Sequence, residues 1–304
     1  MQLGIARGQI VRWSDDDDGW VVAGREVPKD LIDLLEGELG AEPGRTTEAP
    51  GGLPFSPRSL RGVMVVESHY VAGARTMVRH FMPAPVNAFV RLYEAVTRRT
   101  FPALKPPPRF YEAPAFYLGS HMSMAADGDI VDFPAATDYR DFELELGAIV
   151  TRPWDSRRDG PPSAADVIGA FTVINDFSAR DLQWRDERRG AFSGVVKAKS
   201  FATGMGSTVV TADELLPRWN RVAGRVYVNG DLWCEGSTAG GRFSLDEIVA
   251  EIAADERLVP GEVISLGTLA GCCGLELDRF LEPGDRVRLE LEGVGSLTNT
   301  VGVR

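Results

Sequence analysis

Two glutamates, Glu143 and Glu145, have the spacing in this chain that most clearly indicates chemistry. Alternate side chains of an extended strand leave the same face, so the two carboxylates are expected to lie side by side, with apolar neighbours facing the other way. Residues 147–150 are apolar, which predicts that the strand enters a buried core. Paired carboxylates at the edge of a core repel each other and lose hydration, and a divalent cation that prefers oxygen ligands would relieve both costs.

A third carboxylate, Asp176, follows an apolar segment that is predicted to be a strand over 169–175. An Asx turn alone would explain an aspartate at this position. With the two glutamates it gives three carboxylates at two strand ends, which is enough to bind Mg²⁺ or Mn²⁺, with Ca²⁺ as a further candidate. The sequence therefore predicts a metal site with room for water and substrate, and no organic cofactor.

Two further segments are candidates for binding an anionic substrate. Lys197 and Lys199 alternate in a segment that is expected to be extended, which usually indicates a solvated face. Beside a carboxylate cluster, one of them could instead bind a substrate anion or a developing enolate. Residues 267–274 are expected to form a glycine-bearing loop, in which backbone amides and the Thr268 hydroxyl could receive a carboxylate. A flexible loop without a ligand explains these glycines equally well.

Three other classes of site have little support in the sequence. Gly204 and Gly206 lack the strand–helix context and acidic partner of a dinucleotide-binding motif, and the Gly-x-Ser-x-Gly motif of serine hydrolases is absent. The histidines, His69, His80 and His121, have no metal-ligand spacing to one another, which argues against a zinc site. One of them could act as a general base, but nothing local indicates which.

Composition limits the partners and the compartment. The 304 residues include 33 Lys and Arg against 44 Asp and Glu, and this net charge of −11 argues against nucleic acid or an anionic membrane as the main partner. No apolar run approaches the roughly 18 residues of a membrane span, and the N-terminal residues lack the apolar block of a signal peptide. The cysteines, Cys234, Cys272 and Cys273, do not suggest a disulfide framework. A cytoplasmic protein is therefore expected.

The elements that must position these residues predict a mixed α+β, strand-rich fold. Residues 1–55 are expected to form a small N-terminal α+β domain. It would contain a hairpin at Asp18-Gly19 and a helix over 28–39, followed by a Gly- and Pro-rich linker over 40–57. Residues 56–304 are expected to form the catalytic domain.

Within the larger domain, short strands with turn signals predominate. The predicted strands are 142–150, 169–175, 207–211, 224–229, 261–267 and 285–291. The predicted helices are 86–98, 163–168 and 244–254. Ser178 with Asp181 predicts a capping box at the start of another helix. The absence of a repeating βαβ pattern argues against a parallel α/β fold.

Several of these segments together resemble the fumarylacetoacetate hydrolase family. The match is to the family's C-terminal catalytic domain and covers roughly Ser59 to the end of the chain. The string Asn175-Asp176-x-Ser178-Ala179-Arg180-Asp181 is highly specific for it. The other matching motifs are Glu143-x-Glu145, Lys199-Ser200-Phe201, Val228-Asn229-Gly230, Gly267-Thr268, Leu281-x-Pro283-Gly284-Asp285 and the closing segment 290–299.

The resemblance implies a mixed β-roll or β-sandwich with a divalent metal at its open end, usually in a homodimer. It places Glu143, Glu145 and Asp176 at the metal-ligand positions. It also places Lys199 on the family's active-site lysine and Gln183 on a glutamine that contacts the substrate.

The resemblance further implies how the substrate carboxylate and the water are handled. Thr268, beside Gly267, falls on the residue that receives a substrate carboxylate. Family hydrolases activate water with a His–Glu dyad, and the segments that resemble those carrying it pick out His69 and Glu276. A plain surface histidine and a polar position of a strand are the alternative explanations for these two residues.

Two departures from the family pattern, and a candidate lid segment, bear on which substrate is bound. Members that cleave fumarylacetoacetate carry a fourth metal carboxylate seven residues before the histidine, where this chain has Gly62, and water is expected to complete the shell. The stretch between Gln183 and Lys199 is richer in Arg and Asp than in a typical member. Residues from His69 to Pro83 are the candidate for a lid. The pattern therefore indicates the metal more firmly than the substrate.

The resemblance implies a divalent-metal-dependent hydrolase that cleaves a carbon–carbon bond in a 1,3-dicarbonyl acid similar to an acylpyruvate or fumarylacetoacetate. The implied route uses His-activated water and a metal-bound enolate, and the implied partner is a small keto acid. A decarboxylase, dehydratase or tautomerase of a 2-keto acid could use the same carboxylates and is the main alternative. A catalytically silent, metal-dependent binding protein is disfavoured because the candidate catalytic residues are all present.

Overall fold

Two β-sheets that face each other make up most of the protein. The structure is a computed structural model that describes residues 1–6, 9–23, 48–189 and 195–303. Its strands are β1 Gln2–Ala6, β2 Gln9–Ser14, β3 Gly19–Val22, β4 Ser59–Met64, β5 Ala115–Gly119, β6 Met124–Ala125, β7 Ile130–Val131, β8 Arg140–Asp141, β9 Glu143–Val150, β10 Trp154–Asp155, β11 Ile168–Asn175, β12 Ser178–Ala179, β13 Thr203–Met205, β14 Thr208–Thr211, β15 Ala223–Val228, β16 Asp231–Ser237, β17 Arg257–Leu258, β18 Glu262–Cys273, β19 Arg286–Leu291 and β20 Gly295–Val301.

The larger sheet places β9 between two strands that also carry candidate site residues. Its strand order is β3-β2-β1-β14-β11-β9-β18-β4-β5, with the short β13 and β6 joined beside β11. β11 and β18 run antiparallel to β9, whereas β4 runs parallel to β18. Every residue of β9 is buried, as the apolar run over 147–150 predicts. The predicted strand over 142–150 is thus confirmed, and its first residues lie beside the last residues of β11.

The smaller sheet has the strand order β16-β15-β19-β20-β7 and packs its apolar face on the larger one. Phe142 and Leu144 are fully buried in the core between the sheets. The two sheets approach closely at Gly224 of β15, where an added Cβ would lie 2.7 Å from Leu144 and 2.7 Å from Leu269, both in the larger sheet. Facing sheets with interdigitating side chains form a β-sandwich, so the predicted mixed, strand-rich fold class is confirmed.

In the described parts of the chain, the helices are short apart from two that follow β4. They are α1 Glu67–Phe81, α2 Ala84–Thr97, α3 Arg109–Glu112, α4 Ser156–Asp159, α5 Ala164–Val167, α6 Arg180–Arg188, α7 Val195–Lys199, α8 Ala212–Leu215, α9 Leu245–Ala253 and α10 Gly274–Leu277, with 3-10 turns at Pro102–Leu104 and Leu216–Arg221. The helices predicted over 86–98, 163–168 and 244–254 are confirmed as α2, α5 and α9. Among the described residues, none of the helices combines the length and apolar character needed to span a bilayer.

The first strands extend the larger sheet. The predicted hairpin at Asp18-Gly19 is confirmed, because β2 and β3 pair antiparallel around it and Asp18 adopts a positive φ of 46°. β1 then pairs with β14, which belongs to the main sheet. The helix predicted over 28–39 lies outside the described residues. Whether residues 1–55 form a domain of their own stays a prediction.

The segment after Gly267 is not the loop that its glycines suggest. β18 continues through Gly267 and Gly271 to Cys273, and both glycines adopt positive φ values, of 91° and 80°. Irregular pairing with β9 on either side of Thr268 shows that the strand bends at these points without ending. The prediction of a loop over 267–274 is therefore wrong, because continued pairing with β9 outweighs the local preference of glycine for turns.

Two other local predictions are wrong as well. Lys197 and Lys199 lie in the short helix α7 and not in an extended segment, so Lys197 is exposed while Lys199 is buried. Ser178 does not cap α6, since its hydroxyl donates to the carbonyl oxygen of Asp176 and Ala179 occupies the N-cap position. A short bridge between β12 and β8 keeps this segment extended before the helix begins.

Candidate metal and catalytic site

One cavity of about 620 Å³ collects residues from the larger sheet and the helices next to it. Its volume lies within the range of roughly 300–1,000 Å³ that is typical of small-molecule sites. The predicted site residues that line it are His69, Glu143, Glu145, Asp176, Gln183, Lys199 and Thr268. Glu276 contacts His69 from behind this wall, and Gly267 precedes Thr268 on β18. Residues predicted separately from distant segments therefore meet in one place.

Glu143, Glu145 and Asp176 form a buried cluster. Their side chains each offer one oxygen that lies within 4.8 Å of the others. The alternation of side chains along β9 places the two glutamates on the cavity face. Asp176 follows the end of β11, and its backbone N–H donates to the Glu143 carbonyl oxygen at 3.1 Å. Burial, together with the charges of Asp176 and Glu143, raises the pKa of Glu145 to about 8. The cluster is thus an unfavourable group of charges that a cation would stabilise.

Two buried cations compensate part of this charge. Lys199 donates to Glu143 and, at 2.5 Å, to Asp176. Arg180 donates to Glu143 and, at 2.7 Å, to Asp141. Burial alone would raise the pKa of Glu143, but Arg180 and Lys199 outweigh it and hold that pKa well below its usual range. Although burial alone would lower the pKa of Lys199, Asp176 and Glu143 raise it, so the lysine is a charged neighbour of the cluster.

The oxygens of Asp176 bear directly on whether a metal ion fits here. Oδ2 accepts hydrogen bonds from Lys199 and Tyr117, whereas Oδ1 is buried and accepts none from the described residues. Leaving a buried carboxylate oxygen without a partner is costly. Mg²⁺, Mn²⁺ and Ca²⁺ all accept carboxylate oxygens as ligands. Three converging carboxylates, one with a spare buried oxygen, therefore fit such an ion.

His69 and Glu276 form a hydrogen-bonded pair next to this cluster. His69 lies in the first turn of α1 and is buried, with Nδ1 3.0 Å from Glu276 Oε2 and Nε2 3.6 Å from Glu143 Oε1. Glu276, in α10, also accepts the Gly271 backbone N–H at 3.0 Å. Cys273 contacts the same carboxylate at 3.5 Å, and burial raises the pKa of its thiol well above the usual value. The pair has the geometry of an oriented general base, with one ring nitrogen held and the other facing the cluster.

Thr268 and its neighbours on β18 hold Glu145 from the side opposite β11. The hydroxyl of Thr268 donates to Glu145 at 3.0 Å, and Ser265 donates to the other oxygen of the same carboxylate. Gly267 is required where β18 passes β4, because an added Cβ would lie 2.8 Å from the Val63 carbonyl oxygen. The predicted contacts of Thr268 and Gly267 with a substrate carboxylate stay predictions.

Gln183 lies on α6, facing the cavity from the other wall. Its Oε1 accepts from Arg180 at 3.0 Å, and its Nε2 donates to Glu187 at 3.0 Å. The side chain is thus oriented by its own helix, and its predicted contact with the substrate stays a prediction.

Comparison with known proteins identifies the family. Residues 87–302 match the model of the fumarylacetoacetate hydrolase C-terminal domain. The chain belongs to the fumarylacetoacetate hydrolase family. An uncharacterised protein of Staphylococcus haemolyticus is 31% identical over 195 residues, which are 63% of this chain and 62% of that protein. The chain therefore matches less than two thirds of this relative's length.

Solved structures of other proteins share the family's fold. A fumarylacetoacetate hydrolase from Exiguobacterium antarcticum has a TM-score of 0.70 at 21% identity, over 99% of this chain and 98% of that one. A 5-carboxymethyl-2-hydroxymuconate delta-isomerase from Mycobacterium smegmatis has a TM-score of 0.65 at 22% identity, over 99% and 98%. A fumarylpyruvate hydrolase from Pseudomonas aeruginosa, in complex with Mn²⁺ and pyruvate, has a TM-score of 0.58 at 18% identity, over 82% and 91%. At these identities the likeness shows the fold.

Tyr117 occupies the space beside Gly62, the position at which this member of the fumarylacetoacetate hydrolase family departs from the expected pattern. A Cβ added to Gly62 would lie 2.3 Å from Tyr117 Cε1 and 2.8 Å from its hydroxyl oxygen. That hydroxyl donates to Asp176, and Lys199 Nζ lies 5.8 Å from the centre of the ring. The glycine therefore makes room for a tyrosine that reaches the carboxylate cluster from β5, the neighbour of β4.

This contact predicts that the destabilisation caused by replacing Gly62 depends strongly on the presence of Tyr117. Gly62→Ala is expected to destabilise the protein by about 1–3 kcal/mol, the usual cost of overpacking a buried site. The cost is expected to fall below about 0.5 kcal/mol when Tyr117→Ala is also present, because the ring that the methyl group meets is then gone. Urea unfolding of the two single variants and the double variant measures the coupling.

Gly51→Ala is the matched control for this cycle, because an added Cβ there meets nothing within 4 Å. It is expected to change the free energy of unfolding by no more than about 0.5 kcal/mol. An equal cost of Gly62→Ala with and without Tyr117 would show that the tyrosine is not what requires the glycine.

Four functional neighbours were missed by sequence reasoning: Tyr117, Asp141, Arg180 and Ser265. Asp141 accepts the backbone N–H groups of Gly274 and Leu275 and so joins Arg180 to the element that carries Glu276. The family motif of the fumarylacetoacetate hydrolases contains this arginine, and an aspartate two residues before Glu143, on the same face of an extended segment, was a signal for its partner. Nothing in the sequence signals Tyr117 or Ser265, since their contacts depend on strand order.

Proposed function

We propose that this protein is a divalent-metal-dependent hydrolase that cleaves the carbon–carbon bond of an acylpyruvate-type 1,3-dicarbonyl acid. The observation that carries the proposal is the His69–Glu276 pair, which lies in the same cavity as the carboxylate cluster with Nε2 3.6 Å from Glu143. A cation site alone is common to several reactions, whereas a base oriented beside it is what activation of water requires.

The proposed cation would be held by Glu143, Glu145 and Asp176. When bound, a divalent ion of this kind polarises the oxygens of a dicarbonyl substrate as a Lewis acid. The fumarylpyruvate hydrolase that shares the fold binds Mn²⁺, which supports Mn²⁺ or Mg²⁺ as the ion to test first. Lys199 adds a fixed positive charge on the same side, which favours an anionic substrate.

His69 is the proposed base. Because its Nδ1–H is directed at the Glu276 carboxylate, the lone pair of Nε2 faces the cavity and can accept a proton from water. The resulting imidazolium is stabilised by Glu276 at 3.0 Å. The water oxygen bonds to the acyl carbonyl carbon, the bond from that carbon to the methylene breaks, and the electron pair stays on the methylene carbon. Protonation there gives pyruvate beside the carboxylic acid, so substrate and one water account for both products.

The main alternative is a decarboxylase, dehydratase or tautomerase of a 2-keto acid that uses the same carboxylates. The structure with the same fold from Mycobacterium smegmatis is that of an isomerase, which supports this alternative reaction class. These reactions leave no water oxygen in a new carboxylate, which separates them from hydrolysis. A homodimer, implied by the family resemblance, and a cytoplasmic location, expected from the composition, stay predictions.

The test uses the purified full chain with acetylpyruvate and Mn²⁺ or Mg²⁺. Hydrolysis is expected to remove the ultraviolet absorbance of the enolised substrate, and a chelator is expected to abolish the loss. In H₂¹⁸O, the label is expected in acetate. Loss of absorbance without label in acetate would favour the alternative reactions, and no turnover of any acylpyruvate would contradict the proposal.

A further inference from the structure

Beyond the carboxylate cluster the cavity is walled by apolar side chains. They come from α1, α2, α6 and the segment that follows α2, and include Met77, Val78, Val90, Phe101, Leu104 and Trp184. Met77, Val90 and Leu104 are almost entirely buried, so this part of the wall belongs to the folded core. A site built this way gains affinity by removing apolar surface of its ligand from water.

The wall begins at the proposed base and runs along α1. His69 lies in the first turn of the helix, and Val78 lies nine residues later, which is about 13 Å at 1.5 Å per residue. Ala74, one turn beyond His69, is small and also lines the cavity, whereas the space beside Gly73 is taken by Leu275, 3.1 Å from where a Cβ would lie. Ala74 leaves space next to the base, and a substituent on the carbonyl that water attacks would extend along the helix.

The charged side chains in this part of the cavity are exposed. Beyond the cluster, Glu187 and Arg188 are the charged members among the described lining residues. Arg188 is exposed and stacks on Trp184 with its guanidinium 5.3 Å from the ring centre, while Glu187 accepts from Gln183. α1 contributes no lysine or arginine to the described lining. A second substrate carboxylate placed along this helix would lose its hydration without a cationic partner there, which is costly.

We propose that the preferred acylpyruvates of this enzyme carry a bulky, uncharged, apolar acyl group, and that this group lies along α1. This inference rests on the proposed function for the position of the scissile bond. The volume supports it, because 620 Å³ holds about 20 water molecules at roughly 30 Å³ each, far more than acetylpyruvate occupies.

The test compares kcat/KM for acetylpyruvate, hexanoylpyruvate and benzoylpyruvate with the metal-loaded full chain. Each buried methylene is expected to raise kcat/KM by about 4-fold, as follows from roughly 0.8 kcal/mol for each group. A matched pair then isolates charge: 4-methylpentanoylpyruvate has nearly the shape of succinylpyruvate but ends in an isopropyl group. The uncharged member is expected to be better by at least about 10-fold. Equal or higher kcat/KM for succinylpyruvate or acetylpyruvate would overturn the inference.

A narrowing variant tests where the acyl group lies. Ala74→Phe is expected to lower the ratio of kcat/KM for benzoylpyruvate over acetylpyruvate by about 10-fold or more, because the ring would occupy the space beside the base. Ala88→Phe makes the same change on an exposed position of α2 and is expected to leave that ratio as in the wild type. An unchanged ratio in Ala74→Phe would place the acyl group elsewhere and overturn the inference.

Binding separates this inference from the proposed reaction. With Mn²⁺ present, calorimetry is expected to show tighter binding of 2-oxooctanoate than of pyruvate, whatever bond the enzyme breaks. Such a preference without turnover of any acylpyruvate would support binding of an apolar group along the wall and reject the proposed hydrolysis. Cleavage of acylpyruvates without any apolar preference would support the hydrolysis and reject binding of an apolar acyl group along the wall.

Discussion

Replacing His69 by asparagine is expected to lower kcat for an acylpyruvate by about 10²–10⁴-fold while cation binding persists. The imidazole is the group that the structure holds between Glu276 and the carboxylate cluster, with 3.0 Å to the first and 3.6 Å to the second. Asparagine keeps a polar side chain at this position but cannot accept a proton at neutral pH. Steady-state kinetics at saturating Mn²⁺ measures the effect.

The control for this prediction is His80→Asn on the same helix. His80 is partly exposed and contacts Asp278, away from the cluster, so its replacement is expected to change kcat by less than about 2-fold. The increase in melting temperature on adding Mn²⁺ reports cation binding to the folded state and is expected to be similar in both variants and the wild type. Full activity of His69→Asn would reject the proposed base, and loss of the Mn²⁺ effect would assign His69 to the metal site instead.

Arg180→Met is expected to destabilise the protein by about 3–5 kcal/mol, which makes it the largest stability effect that we predict. Arg180 is 2% exposed, and its guanidinium donates to Asp141 at 2.7 Å and to Glu143 as well. Its removal leaves the buried Asp141 without its cation and Glu143 with Lys199 alone, while the methionine fills most of the space. Urea unfolding followed by circular dichroism measures the free energy of unfolding.

Arg75→Met is the matched control, because Arg75 pairs with Glu94 on the surface with 43% of its side chain exposed. Exposed pairs contribute about 0–1 kcal/mol, so the same substitution is expected to cost little there. Adding Asp141→Asn to Arg180→Met is expected to recover part of the loss, since one uncompensated charge is removed. A loss no larger than that of the surface control would show that Arg180 does not hold the carboxylates together.

The carboxylate cluster could be predicted from sequence because it depends on local geometry. Strand alternation determines that Glu143 and Glu145 share a face, and the end of an apolar run places Asp176 at the end of a strand. The contribution of Tyr117 could not be predicted in this way. It follows from the pairing of β4 with β5, which places the ring over Gly62, and strand order is a property of the whole fold.

The errors in the predicted local structure have a common cause. Gly267 and Gly271 indicated a loop, yet β18 continues through them because its pairing with β9 at Thr268 and Cys273 provides partners that the local sequence does not show. Lys199 illustrates the same limit. Its alternation with Lys197 suggested one exposed face, whereas α7 turns Lys199 into the site and leaves Lys197 in solvent.

The position of β18 has a consequence for folding kinetics. It brings Thr268 to Glu145 and Cys273 to Glu143, across more than a hundred residues of chain, and its first half pairs with β4 from a third distant segment. Contacts between segments so far apart in sequence form slowly, because loop closure must precede them. The cluster is therefore expected to assemble late in folding, so a cation that binds it would mainly slow unfolding and do little to speed folding.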